Sequence, residues 1–272
     1  MNKNASAFIG DIPKNYDEGL GPVIFQPYAE NIARRAATAK PLRVLELAAG
    51  TGIVSRALKD AIGPEAHLTV TDLNPPMLDV ARAKFRENET VSFAPADAMQ
   101  LNFPDAHFDM VVCQFGVMFF PDKVRSFRQA CRVLRPGGEY LLSVWGTLDE
   151  NPFSKMTHAI VAELFPDNPP GFYKVPFSYA DPDIVVADLK AAQFNDVEVE
   201  AVAVNSIVND WSAFARGLIY GNPIIAEINA LGGITPDEVV NTIEERFQNL
   251  WGAPPAAMPR KATVFRARKA EA

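Results

Sequence analysis

Three carboxylates and a glycine turn stand in one stretch of the chain, at spacings that suit a ligand with hydroxyls, a base and a positive charge. Glu46 lies near the end of the apolar run Leu42–Leu47, and Gly50-Thr51-Gly52 follows it. Asp72 ends the next apolar run, twenty residues after Gly52, and Asp97 follows a third run, Val91 to Ala94. Glycines at the turn let the backbone approach a ligand with no Cβ in the way. A carboxylate about 20 residues beyond such a turn suits a ribose diol. The pattern Gly50-Thr51-Gly52-Ile53-Val54-Ser55 is close to a dinucleotide fingerprint, with Ser55 in place of the third small residue, so a nicotinamide or flavin ligand stays open. Glu46 weighs against it, because a carboxylate facing the ligand repels a pyrophosphate and attracts a cation. Asp97, with Ala98 beside it, can meet an adenine amino group.

Each of these residues has a blander reading. Asp72 can cap the helix after it, Asp97 can close a turn, Glu46 can be a hydrogen-bonded structural carboxylate, and Leu73 and Met77 can be core instead of flanking an adenine. Gln114 and Phe115 follow the run Phe108–Cys113 and fall at the carboxyl edge of an open sheet, where ligands sit. Met118-Phe119-Phe120 can line an acceptor pocket or be core. Of the three histidines, His67 opens an apolar run, His107 sits in a turn, and His158, read first as a surface histidine, is the one placed where an acceptor could be deprotonated.

The elements that must position these residues alternate as strand and helix. Helices are expected at Phe25–Ala39, Ile53–Ala61 (ended by Gly63-Pro64), from an Asn74 N-cap with Pro75, at Asp122–Leu134, 152–165, and from Asp181-Pro182 to Ala192. Strands are expected at His67–Asp72, Val91–Ala94, Phe108–Cys113, Glu139–Trp145, 197–203 and 262–267. Such alternation signals a parallel sheet with right-handed crossovers. Thr235-Pro236-Asp237-Glu238 reads as a capping box, so residues 205–258 form a helical insertion with helices at Trp211–Tyr220, Pro223–Leu231 and Asp237–Trp251. Residues 1–20 are polar and expected to be partly mobile, apart from Tyr16.

The chain has 272 residues, 48% hydrophobic, with a net charge of −7. That suits one large α/β domain and disfavours nucleic acid as a substrate. No apolar stretch is long enough to span a bilayer and the first residues lack a signal-peptide core, so a cytoplasmic location is the expectation. Cys113 and Cys131 have no metal-ligand spacing and read as buried thiols.

Glu46 to Gly52, Asp72, Asp97-Ala98, Phe108 to Gln114 and Arg135-Pro136-Gly137-Gly138 together resemble the ordered motifs of class I S-adenosylmethionine-dependent methyltransferases. The chain is similar to the small-molecule branch that includes the ubiquinone/menaquinone-biosynthesis enzymes. The motifs span residues 42 to about 145. The resemblance implies a doubly wound, seven-stranded Rossmann-like α/β sheet whose last strand is antiparallel and lies between the fifth and sixth. It implies a single methyltransferase domain: 1–40 an N-terminal lid and helix, 41–204 the cofactor core, 205–258 a helical cap, and 259–272 the last strand and tail. S-adenosylmethionine is the implied cofactor and a small molecule the acceptor, with a homodimer possible. The implied cofactor contacts are Glu46, Ala48, Gly50, Gly52, Asp72, Leu73, Met77, Asp97, Ala98, Gln114 and Phe115, with Tyr16 as a lid tyrosine. The family often has glycine where this chain has Ala48, and a methyl group fits there if φ is negative. No catalytic residue is assigned. A nicotinamide-dependent oxidoreductase and a non-catalytic adenosine-ligand binder are the alternatives.

Overall fold

A computed structural model describes residues 5–271. A short helix α1 (Ile12–Asn15) runs into a π-helix at Tyr16–Phe25, then α2 (Gln26–Thr38). The sheet and its crossovers follow: β1 (Arg43–Glu46), α3 (Ile53–Ile62), β2 (His67–Asp72), α4 (Pro75–Arg82), β3 (Val91–Pro95), β4 (Phe108–Gln114), α5 (Lys123–Val133), β5 (Leu134–Trp145), α6 (Pro152–Leu164), α7 (Pro182–Ala191) and β6 (Phe194–Val208). The cap helices α8 (Trp211–Tyr220), α9 (Ile224–Leu231) and α10 (Pro236–Trp251) precede β7 (Ala256–Lys269).

The sheet has seven strands in the order β3-β2-β1-β4-β5-β7-β6. The first five are parallel, and β7 runs antiparallel between β5 and β6. The central strands are buried on both faces, and their residues alternate between two cores. Val44, Met110, Val112 and Leu141 face α2 and α3, whereas Leu45, Val111, Tyr140 and Leu142 face α5 and a larger core that continues into the cap. This two-sided burial is why the parallel strands read as nearly continuous apolar runs. Among the described residues no helix is long and apolar enough to cross a membrane.

Two segments depart from the sequence expectation. The first is the N-terminus. Gly19, Gly21 and Pro22 argue against a helix by propensity, yet residues 12–25 are helical and Leu20, Ile24 and Phe25 are buried. The reason is tertiary. A Cβ on Gly19 would stand 2.7 Å from the Cα of Gly217 in α8, so the glycines let the two backbones touch. The expected mobility of residues 1–4 lies outside the described residues. The second is the β6–β7 ladder. It continues past the end of the β5 pairing, from Lys261 opposite Ala203 to Ala256 opposite Val208. The cap helices therefore lie between Trp211 and Trp251, on the end of a long hairpin, and residues 205–208 and 256–258 are strand. Alternation of apolar and polar residues fades at Asn205 and Pro259, which hid the extension.

Candidate functional site

The carboxyl edge of the sheet opens into a cavity because the chain leaves β1 abruptly. Leu47 N–H still donates to Val112 O at 2.8 Å and Ala49 N–H to Thr71 O at 2.9 Å, which fixes the turn to both neighbouring strands. The backbone is left-handed between these anchors at Ala48 (φ 51°) and just beyond them at Gly50 (φ 56°) and Gly52 (φ 80°). The negative φ set as the condition for a methyl group to fit at Ala48 is not what the backbone adopts. An alanine there carries backbone strain on the order of 1 kcal/mol or more. Its methyl group fits because Gly116 faces it; a Cβ at Gly116 would fall 2.5 Å from the Ala48 Cβ. Phe115 is left-handed too (φ 54°), and its ring stacks on Trp145 with centroids 3.7 Å apart. Strain at two facing turns is held by packing and by the Phe115 N–H bond to Ser143 O.

The two turn glycines do different work. At Gly50 a Cβ would meet nothing within 4 Å, so its backbone borders open space in the cavity. Gly52 is the one candidate residue that does not line the cavity. A Cβ there would lie 2.7 Å from the Ala81 Cβ, so Gly52 lets the start of α3 pack on α4.

Eleven of the twelve candidate residues line one cavity of about 1120 Å³, its open mouth included: Tyr16, Glu46, Ala48, Gly50, Asp72, Leu73, Met77, Asp97, Ala98, Gln114 and Phe115. Glu46 is only 1% exposed and its Oε2 has no hydrogen-bond partner. Burial pushes its carboxyl up to about 8; the Ser55 hydroxyl beside it opposes the rise and nearby Asp72 adds to it. Asp72 is held rigidly. Its Oδ2 accepts from Gly50 N–H at 2.9 Å and its Oδ1 from Asn74 N–H at 2.8 Å. Burial raises its pKa and these bonds oppose the rise. Asn74 thus ties itself to Asp72 and makes no side-chain cap on α4. Asp97 does close a turn, accepting from Met99 N–H at 2.9 Å, while still bordering the cavity. Gln114 donates through Nε2 to Phe25 O at 3.3 Å, and its Oε1 is buried without a partner. Met77 is buried at the wall and Leu73 is 56% exposed at the rim.

Tyr16, at the start of the π-helix, stacks on Phe25 with centroids 4.6 Å apart. Burial, with Asp72 and Asp17 nearby, drives its hydroxyl pKa well above the ordinary value, so it stays protonated. Asp17 is in turn paired with Lys84 at 2.6 Å, just past α4. Together with Phe8, Phe25, Phe115 and Phe119, Tyr16 also lines a second cavity of about 470 Å³, its open mouth included. That space is walled further by Trp145, Phe153, Phe172 and Phe177 and reached from the cap by Leu218 and Asn222. Sequence reasoning named Tyr16, Phe115 and Phe119 but missed the wall they form with the other aromatics, because its residues come from six separated segments. Met118 is core, and His158 lines neither cavity.

The fold is the one shared by class I S-adenosylmethionine-dependent methyltransferases, and the motif-bearing segment resembles theirs. The family model described as "Methyltransferase domain" matches residues 44–138. The chain is similar to the ubiquinone/menaquinone biosynthesis C-methyltransferase UbiE of Pseudomonas aeruginosa, 38% identical over 127 residues that cover 46% of this chain and 50% of the relative. The corresponding enzyme of Shewanella sediminis is 34% identical over 134 residues, 48% and 50% of the two chains. The chain thus spans about half the length of these curated relatives. Among solved structures, Haemonchus contortus phosphoethanolamine N-methyltransferase 2 in complex with S-adenosyl-L-methionine superposes with a TM-score of 0.58 at 20% identity, covering 95% of this chain and 57% of that one. A possible histamine N-methyltransferase of Thermotoga maritima covers 99% and 100% at a TM-score of 0.54 and 14% identity. At these identities the likeness is one of fold.

Proposed function

We propose that the protein moves a methyl group from S-adenosylmethionine to a small, largely apolar acceptor. The observation that carries this reading is the buried, unpartnered Glu46 oxygen in a cavity that also holds Asp72 and Asp97 and shares an aromatic wall with a second, apolar cavity. A buried carboxylate oxygen without a partner is costly, and an ammonium group is the partner Oε2 lacks. Gln114 Oε1, also orphaned, offers a second acceptor for the same N–H donors.

On this reading Glu46 and Gln114 hold the amino-acid end of the cofactor, with Phe115 bordering it. The rigid Asp72 carboxylate takes the ribose hydroxyls. Asp97 and the Ala98 N–H meet the adenine edge, and Leu73 and Met77 flank its faces. Ala48 and Gly50 supply the close backbone, and Tyr16 covers the site. When bound, the cofactor supplies a sulfonium methyl already activated for displacement. The protein's own task is then orientation: the Tyr16, Phe25 and Phe115 wall excludes water and aligns the acceptor at near-attack distance. The acceptor is read as a small molecule, since a net charge of −7 opposes a phosphate backbone. A cytoplasmic location and a homodimer stand as further expectations, which fractionation and size-exclusion chromatography test.

Titration calorimetry tests the cofactor. S-adenosylhomocysteine is expected to bind and NAD to bind far more weakly. Tighter binding of NAD contradicts the reading.

A further inference from the structure

The second cavity carries information about the acceptor's reacting atom. Among the described residues its lining contains no Asp, Glu, His, Cys, Lys or Arg. Its two ionisable hydroxyls, Tyr16 and Tyr173, are both raised in pKa by burial, and Tyr173 donates to Leu218 O at 2.7 Å. Neither is a base at neutral pH. An alcohol entering here finds no group to take its proton, and a carboxylate finds no cation to pair with. Polar character is confined to a few atoms. Ser154 brings a hydroxyl from α6, and Asn222 brings an amide from the turn between α8 and α9. The Asn222 Nδ2 is committed to Leu218 O at 3.1 Å, which leaves its Oδ1 to accept from a ligand N–H. Around these atoms the wall is aromatic, with Phe25, Phe115, Trp145 and Phe153 in mutual contact.

We infer that the acceptor atom is the neutral nitrogen of a weakly basic, otherwise apolar amine, held by Asn222 and Ser154. This rests on the methyltransferase reading above. The nitrogen lone pair forms the new N–C bond as the C–S bond breaks, and the electrons of that bond go to sulfur. Positive charge passes from sulfur to nitrogen, and no proton has to leave first. The aromatic faces stabilise the cation at nitrogen, an interaction that strengthens when the charge is desolvated. The ammonium proton is lost to water once the product leaves.

The test compares three probes of one bicyclic skeleton: tetrahydroquinoline, tetralol and tetralin carboxylic acid, each with S-adenosylmethionine and the full-length protein. Production of S-adenosylhomocysteine is expected with the amine at least ten-fold faster than with either other probe. Asn222→Leu is expected to raise the KM for the amine several-fold while leaving S-adenosylhomocysteine affinity unchanged. A readout independent of turnover is binding of the quaternary N,N-dimethyl tetrahydroquinolinium ion, followed by quenching of tryptophan fluorescence. It is expected to bind at least ten-fold tighter than tetralin. Faster turnover of the alcohol or the acid, no turnover of any probe by cofactor-bound protein, or tighter binding of tetralin overturns the inference. Failure of S-adenosylhomocysteine itself to bind contradicts the underlying cofactor reading instead.

Discussion

The sheet edge from Glu46 to Gly116 and the cap from Trp211 to Trp251 both border ligand-sized space, but by opposite means. The edge uses polar groups fixed by short backbone bonds: Asp72 is pinned by Gly50 and Asn74, and Ala48 and Phe115 are held in left-handed turns. The cap contributes mass. Trp211, Phe214 and Phe247 are buried against each other, and only Leu218 and Asn222 reach the second cavity. Recognition at the edge is built into local sequence, whereas at the cap it depends on how a whole hairpin of helices docks. Gly19 and Gly217 make that docking backbone-on-backbone, and a Cβ at Gly221 would lie 2.8 Å from the Tyr16 nitrogen. Tyr16 and the cap therefore form one packed unit.

The largest expected effect breaks the cap. Phe214 belongs to the core and does not line the second cavity, so Phe214→Ala removes a buried ring and is expected to cost about 3–5 kcal/mol of stability. Chemical denaturation checks this. A loss below 1 kcal/mol would show the cap to be a loosely held lid. Close behind comes a contrast between two glycines of one turn. Gly52→Val is expected to destabilise by about 3 kcal/mol, since it adds strain and collides with Ala81. Gly50→Ala has room and is expected to cost only about 1 kcal/mol of stability, while its methyl group intrudes on the cofactor. Melting curves and calorimetry on the pair separate packing from binding, and the opposite pattern would exchange their roles.

Asp72→Ala is expected to weaken S-adenosylhomocysteine by about 1–3 kcal/mol. Unchanged affinity in the folded variant would remove Asp72 from the site. The subtlest effect is on pH. Glu46, with a pKa near 8 in the ligand-free protein against an ordinary 4.5, holds a proton in the folded state that the unfolded chain has lost. Stability of the ligand-free protein should therefore fall as pH rises from about 4.5 toward 8 from this group alone. Cofactor affinity should rise over the upper part of that range, because an ammonium ligand favours the ionised carboxylate. Glu46→Gln should flatten both trends; a pH profile identical to the wild type's would show that another group titrates.

The edge was legible in the sequence because its signals are local. Glu46, Asp72 and Asp97 each end or follow an apolar run, and glycine marks the turn between. His67–Asp72, Trp211–Tyr220 and the Thr235 capping box all fall where propensity and capping put them. What stayed hidden was non-local. The π-helix at Tyr16–Phe25 survives two glycines and a proline only because α8 lies against it. The aromatic wall joins Phe8 to Phe177 across the fold, and no spacing rule links them. Gly52 shows the same limit on a small scale, since a glycine in a ligand turn and a glycine under a helix look alike until Ala81 is seen.

A crystal structure with S-adenosylhomocysteine bound tests the central claim most directly. The account predicts the amino group within hydrogen-bond distance of Glu46 and the ribose on Asp72. It also predicts that the sulfur faces the Tyr16–Phe115 wall and that the second cavity is left free for an acceptor. A ligand with its adenosine away from Asp72 and Asp97, or one that fills both cavities, would contradict it.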